Sequence, residues 1–236
     1  MPNPYFKFKQ FTVYHDRCAM KVGTDGVLLG AWTEVAGAKR ILDVGTGTGL
    51  IALMIAQRSQ APVVGIDIDE QAVGQAQENV KSSPWRERID ICRKDVRQMC
   101  READGTFDVI VSNPPYFVEK VHCPDARRNA ARHTAGLTFA DLLAAVEKLL
   151  SEEGVFSVII PADAADDFML LAADVHLYPV RKTLIHTKPD AVPKRVLLAL
   201  GRKITVCDTE HLVVELERHV YSPAYIELTK DFYLNM

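Results

Sequence analysis

Little in this 236-residue chain points to a disulfide scaffold, a metal centre or a membrane span. Its five cysteines (18, 92, 100, 123 and 207) are odd in number, scattered and free of C-x-x-C spacing. Neither a disulfide framework nor a zinc site is expected. No apolar run approaches the roughly 20 residues of a membrane-spanning helix. The opening Met1-Pro2-Asn3-Pro4-Tyr5-Phe6-Lys7 lacks the apolar core of a signal peptide. The expectation is a cytoplasmic protein with no membrane and no metal partner. A dominant charge is missing too: the net charge is −3, which argues against broad, non-specific nucleic-acid binding. Repeats, low-complexity tracts and linkers are absent, so residues 1–236 are read as one domain. Within it, 1–38 is an N-terminal extension packed on the core, 39–210 the core, and 211–236 a C-terminal strand and helix segment. What the chain does have is 48% hydrophobic residues, enough for an ordinary buried core.

Ile41-Leu42-Asp43-Val44 reads as a short buried strand, followed at once by Gly45-Thr46-Gly47-Thr48-Gly49 and a helix opening at Leu50-Ile51-Ala52. Strand, Gly-rich turn and helix form the opening unit of a doubly wound, mostly parallel α/β sheet. Glycines let a ligand approach the backbone closely. The spacing is G-x-G-x-G; the third glycine of a dinucleotide fingerprint would fall at Leu50, which weakens a nicotinamide reading without removing it.

Three further strands end in residues of interest. Pro62 to Ile66 runs into Asp67, about 20 residues past the turn, where an acid suits a pair of ribose hydroxyls. Asp69 also qualifies, but reads better as the N-cap of a helix from Glu70 to about Lys81. The strand Arg88 to Cys92 leads to Asp95, a second candidate N-cap. Phe107-Asp108-Val109-Ile110-Val111-Ser112 is followed by Asn113-Pro114-Pro115-Tyr116. That turn suits methylation of a planar NH2 group, whose lone pair is delocalised and poorly nucleophilic. The Asn113 side-chain oxygen and the Pro114 carbonyl can accept both amino hydrogens and turn the lone pair toward a methyl donor. Positioning and dipoles suffice for catalysis. Pro114 and Pro115 stiffen the turn, and Tyr116 can stack on a flat substrate.

Downstream, the pattern predicts a helix over 138–150, a strand over 155–160, a helix over 161–173 and an antiparallel pair of strands, 177–186 and 195–200. Ser222-Pro223 reads as an N-cap and first helical residue of a helix over 224–232. The segment Phe117 to Gly136 is long, lacks periodicity and follows the Asn-Pro-Pro-Tyr turn, as a substrate lid would. It carries Arg127, Arg128, Arg132 and His133, the last read as a substrate contact or structural group rather than a base. Arg181, Lys182, Lys188, Lys194, Arg195, Arg202 and Lys203 crowd the C-terminal third and would form a phosphate-binding rim if they face the pocket.

Asp43 with the Gly45–Gly49 turn resembles motif I of the S-adenosylmethionine-dependent methyltransferases. The resemblance implies a class I, Rossmann-like fold, with Asp43 facing the methionine amine and Gly45, Thr46, Gly47 and Gly49 under the ligand. It also implies Asp67 on the ribose, Asp95 beside the adenine amino group and Asn113 at the join of donor and substrate. Two more segments narrow the family: His15 to Trp32, containing Lys21-Val22-Gly23-Thr24-Asp25-Gly26-Val27-Leu28-Leu29-Gly30, and the tail Tyr225 to Leu234. With Asn113 to Tyr116 they resemble the bacterial valine-tRNA adenine-N6 methyltransferases along nearly the whole chain. That resemblance implies modification of adenosine 37 in the anticodon loop. It places Lys21, Thr24 and Asp25 near the carboxylate end of the donor and Tyr116 and Phe117 against the base. Capping of a helix by Thr24 or Asp25 is the competing assignment. Asn-Pro-Pro-Tyr also resembles the glutamine methyltransferases of release factors and, more loosely, guanine-N2 methyltransferases of ribosomal RNA. A non-catalytic RNA-binding protein with this fold is a further alternative. DNA adenine methylation is disfavoured, because no target-recognition domain is visible.

Overall fold

The computed structural model describes residues 3–18, 20–102, 106–115 and 136–236. The chain begins with a small hairpin, β1 (Tyr5–Lys7) and β2 (Thr12–Tyr14), then α1 (Thr24–Trp32). Alternating elements follow: β3 (Ile41–Val44), α2 (Leu50–Arg58), β4 (Val63–Asp67), α3 (Glu70–Lys81), β5 (Ile89–Arg93), α4 (Val96–Glu102) and β6 (Phe107–Ser112). The second half holds α5 (Phe139–Leu149), β7 (Leu150–Pro161), α6 (Ala165–Asp174), β8 (Tyr178–His186), β9 (Arg195–Gly201) and β10 (Thr209–Val213). A second hairpin, β11 (Glu215–Glu217) and β12 (Val220–Tyr221), precedes α7 (Pro223–Thr229).

The main sheet has eight strands in the order β10-β8-β9-β7-β6-β3-β4-β5. Every strand but β9 points the same way. The expected doubly wound parallel sheet and its antiparallel closing pair are both present. β3 is wholly buried and reads as an almost unbroken apolar run, because helices cover both faces of the sheet. One face is packed by α1, α2, α3 and α7, with Leu28, Trp32, Met54, Val80 and Tyr225 in its core. The other is packed by α4, α5 and α6, with Met99, Leu142, Val146 and Phe168. The chain runs outward from β3 to β4 and β5, then crosses back to β6 on the other side of β3. The carboxyl ends of β3 and β6 therefore flank the topological switch point, where ligands of open α/β sheets sit. There Val44 pairs with Ser112, and the Ser112 hydroxyl donates to the Val44 carbonyl at 2.9 Å.

Several boundaries differ from expectation for identifiable reasons. α1 starts at Thr24, with Gly23 as its N-cap and no side-chain cap, so neither Thr24 nor Asp25 is its N-cap. Within α1, Gly26 and Gly30 are contact residues. A Cβ at Gly26 would lie 3.0 Å from Leu50, and one at Gly30 2.9 Å from the Met54 sulfur, so the glycines let α1 lie close against α2. β7 begins directly after α5, five residues earlier than its apolar run suggests. Glu152, Glu153 and Gly154 look like a turn but continue the strand, with Gly154 packed tightly against the Leu150 side chain. α7 is shorter than expected but capped as expected, by the Ser222 hydroxyl on the Tyr225 N–H. β10 adds a parallel edge strand beside β8 and carries the sheet past residue 210 to Val213. Among the described residues, no helix is long and apolar enough to cross a membrane.

Candidate functional site

The Gly-rich turn is held open by bonds from below. Gly45, Gly47 and Gly49 all have positive φ (72°, 54° and 79°), a region other residues enter only with strain. The Gly45 and Thr46 N–H groups both donate to the Ile66 carbonyl at 2.9 Å. The Thr46 hydroxyl donates to Asp43 Oδ2 at 2.7 Å, and the Ala52 N–H donates to the same oxygen at 3.2 Å. Among the described residues, a Cβ placed on Gly45 would meet nothing within 4 Å, and one on Gly47 only the Gly45 carbonyl at 4.0 Å. The upper face of the turn is thus an open cradle lined by backbone. Gly49 plays a different part: its Cβ would press on Ala76 at 3.3 Å, so it seats α2 against α3.

Asp43 lies beneath this cradle, fully buried. Its Oδ2 braces the turn, while Oδ1 has no hydrogen-bond partner among the described residues. Burial, reinforced by the charge of Asp67, pushes its carboxyl up to about 7 against the opposing bonds from Thr46 and Ala52. A half-satisfied buried carboxylate under an open cradle fits a ligand that brings positive charge to the turn. Asp67, half-buried at the end of β4, accepts the Gly47 N–H at 2.9 Å on Oδ2 and the Asp69 N–H at 3.0 Å on Oδ1. It ties the turn to the neighbouring strand and keeps lone pairs for further donors. Asp69 is the N-cap of α3, accepting from the Gln71 N–H at 2.9 Å.

Asp95 starts α4 as a cap, accepting the Arg97 N–H at 2.9 Å. The Arg97 guanidinium also grips both its oxygens, with Nη2 at 2.6 Å from Oδ2, and holds the Asp95 carboxyl below the usual range. The side chain is therefore engaged locally, and an adenine contact would share it with Arg97.

Residues 14–18 and 20–24 form a strap beside the turn, between β2 and α1. At one end, the buried Asn79 side chain takes both backbone groups of Tyr14 and also donates to the Thr48 carbonyl, all at 2.9 Å. Arg17 pairs with Glu78 beside it. Cys18 then passes close enough to Asp67 and Asp69 to feel their charge; with burial as the larger cause, its thiol is pushed up to about 11. At the other end, Asp25 in the first turn of α1 pairs with Arg195 at 2.8 Å. Lys21 and Thr24 are exposed between these ties. Asn79 went unnoticed in the sequence, because an Asn inside an amphipathic helix carries no local signal.

Asn113 and Pro114 stand at the end of β6, beside Gly45 at the end of β3; Asn113 is half-buried, Pro114 buried and Pro115 exposed. Tyr116, Phe117, Arg127, Arg128, Arg132 and His133 lie outside the described residues. The basic C-terminal third does not form one rim, because its residues sit on antiparallel strands. Lys188, Lys194 and Arg195 lie at the edge shared with Asn113, whereas Arg202 and Lys203 leave β9 at the opposite edge. Arg202 satisfies carbonyls at the end of α5, Lys203 pairs with Glu153, and Arg181 pairs with Glu210 while stacking on Trp32.

Residues 22–162 match the family described as the methyltransferase small domain. A protein of Phocaeicola vulgatus named tRNA1(Val) (adenine(37)-N6)-methyltransferase is 57% identical over 236 residues, covering 100% of each chain. A protein of the same name from Aeromonas hydrophila is 45% identical, with 99% of each chain covered. Among solved structures, a predicted O-methyltransferase of Agrobacterium tumefaciens superposes with a TM-score of 0.70 at 18% identity. That alignment covers 88% of this chain and 96% of the other; at such identity the likeness is one of fold.

Proposed function

The chain belongs to the methyltransferase small-domain family and, within it, to the tRNA1(Val) (adenine(37)-N6)-methyltransferases, and we propose that it methylates N6 of adenosine 37 in that tRNA. The donor, S-adenosylmethionine, supplies an electrophilic sulfonium methyl. One observation carries the reading: the open glycine cradle and the Asn113-Pro114 turn stand side by side at the paired ends of β3 and β6. A ligand lying on the first and an amino group held by the second would be neighbours.

In this reading the Asn113 side-chain oxygen and the Pro114 carbonyl accept the two N6 hydrogens. The nitrogen lone pair then points at the methyl, and the surplus proton leaves readily once the nitrogen has become cationic. No strong base is required. Pro115 stiffens the turn, and Tyr116 and Phe117 stack on a base splayed out of the anticodon loop. Arg127, Arg128, Arg132 and His133 contact the RNA. Gly45, Thr46, Gly47 and Gly49 shape the donor cradle, with Asp43 setting its shape and charge from beneath. Asp67 takes the ribose hydroxyls, Asp95 the adenine amino group, and Lys21 and Thr24 the carboxylate end. The residue roles rest on placement at the switch point and on family resemblance, and the setting is the cytoplasm.

The test incubates purified protein with labelled S-adenosylmethionine and unmodified tRNA1(Val), or the same tRNA with guanosine at position 37. Label recovered as N6-methyladenosine only from the first RNA supports the reading. Equal labelling of both RNAs, or none despite donor binding, overturns it.

A further inference from the structure

At the same edge of the sheet as Asn113 there is a second concavity, of about 270 Å³, beside the cradle and the Asn-Pro-Pro turn, with Thr24 on the side it shares with the proposed donor site. Its floor is apolar: Leu28 of α1, Ile185 at the end of β8 and Val214 just after β10. Its rim is polar, with the Thr187 hydroxyl, the Lys194 ammonium and the Glu215 carboxylate. The Asp25–Arg195 pair closes the side nearest the strap. Lys194 and Glu215 make no ion pair among the described residues, so their charges remain available for a ligand. The backbone beneath is well fixed: the Lys194 N–H donates to the Ile185 carbonyl at 3.0 Å, and the Glu215 N–H to the Thr187 carbonyl at 3.1 Å.

Size and chemistry narrow the occupant. The volume lies below the ~300–1,000 Å³ of clefts that take whole drug-sized ligands, and suits one planar ring system. An apolar floor favours a flat, poorly hydrated face. A carboxylate at the rim favours a hydrogen-bond donor edge and disfavours a free anion inside. The ammonium at the mouth favours a phosphate attached to that ring but lying outside. A nucleotide of an RNA strand has all three properties. Position agrees as well: only β7 separates β9 from β6, so Leu198 lies about 10 Å across the sheet from Ser112, and Arg195, three residues nearer the shared edge, about 14 Å from it. That distance is within reach of nucleotides flanking a base splayed into the Asn113 site.

We infer that this concavity is a subsite for a nucleotide neighbouring the target adenosine. Its base rests on Leu28, Ile185 and Val214 and donates to Glu215, and its phosphate meets Lys194. The inference rests on the function proposed above and adds a specificity-determining contact to it.

The test measures methyl transfer by wild-type protein, Glu215→Ala and Lys194→Ala on unmodified tRNA1(Val). A companion set of RNAs carries an abasic residue at each position flanking the target in turn. Donor affinity is measured alongside as a control for folding. Glu215→Ala is expected to raise the RNA KM about ten- to a hundredfold, the worth of one hydrogen bond to a charged group, with kcat and donor affinity unchanged. One abasic RNA should impose at least that loss on wild-type protein, and a smaller loss on Glu215→Ala, where only the apolar contact is left to lose. Lys194→Ala should raise KM for every RNA and reduce the salt slope of kcat/KM by somewhat under one unit, as one phosphate contact does. Unchanged RNA KM values, or abasic and Glu215→Ala losses that multiply at every flanking position, overturn the subsite. Wild-type protein that binds donor yet labels no RNA in the set overturns the functional reading and the subsite with it.

Discussion

Gly45 and Gly37 provide a matched pair for testing the cradle. Both have left-handed backbones, with φ of 72° and 73°, both are exposed, and among the described residues a Cβ on either would meet nothing within 4 Å. Alanine at either position must therefore bear the same backbone strain, about 1–2 kcal/mol, without any steric clash in the empty protein. For a chain of this length each kcal/mol lowers Tm by about 2–4 °C, so both variants should lose about 2–8 °C. They differ in what occupies the open space. Gly37 faces solvent in the connection between α1 and β3. Gly45 faces the volume where the donor is proposed to lie against the backbone. Gly45→Ala should thus weaken S-adenosylmethionine binding at least tenfold, about 1.4 kcal/mol, while Gly37→Ala leaves it unchanged. Thermal unfolding without ligand and calorimetric titration with donor give both numbers. Wild-type donor affinity in Gly45→Ala, or an equal loss in Gly37→Ala, would refute the cradle.

Two further outcomes follow from the same bonds. With its carboxyl pushed up to about 7, Asp43 keeps a proton in the folded state that the unfolded chain has already lost above about pH 4. Stability should therefore fall as pH rises through that window, and Asp43→Asn should lose this decline and be no less stable than wild type at pH 8. Urea unfolding at pH 5 and 8 checks it, and parallel profiles for the two proteins would contradict the assignment. Asn79→Ala removes the partner of the Tyr14 N–H, the Tyr14 carbonyl and the Thr48 carbonyl. Only the Thr48 carbonyl is left buried; at about 1–3 kcal/mol for that unpaired group, Tm should drop by several degrees. The donor KM should rise more than the RNA KM; equal changes in both would show that the bridge does not serve the donor side.

The parts legible in the sequence are those whose signals are local. The Ile41-to-Val44 run, the glycines after it, the Asp69 cap, the end of β6 before Asn113 and the Ser222-Pro223 helix start all depend on neighbouring residues, and all appear where expected. The misread parts depend on tertiary contact. The packing role of Gly26 and Gly30 is invisible until α2 is placed against them. β1 and β2 are three residues each and stable only as a pair. β10 is largely exposed, and only Leu212 points to a core. Within the site, placement at strand ends was readable, whereas engagement was not. The grip of Arg97 on Asp95, the Asp25–Arg195 pair and the Asn79 bridge each join groups whose meeting the folded sheet determines. The split of the basic C-terminal third has the same origin, since β9 reverses direction and carries Arg202 and Lys203 away from the site.

The central claim is that Asn113 serves the transferred methyl's acceptor rather than the donor or the fold. Single-turnover transfer to unmodified tRNA1(Val) by Asn113→Ala, measured beside donor titration and Tm, tests it most directly. The account predicts a rate lower by about two orders of magnitude or more, as for loss of a transition-state hydrogen bond, with Tm and donor affinity near wild type. A variant that binds donor normally and transfers at the wild-type rate would contradict it.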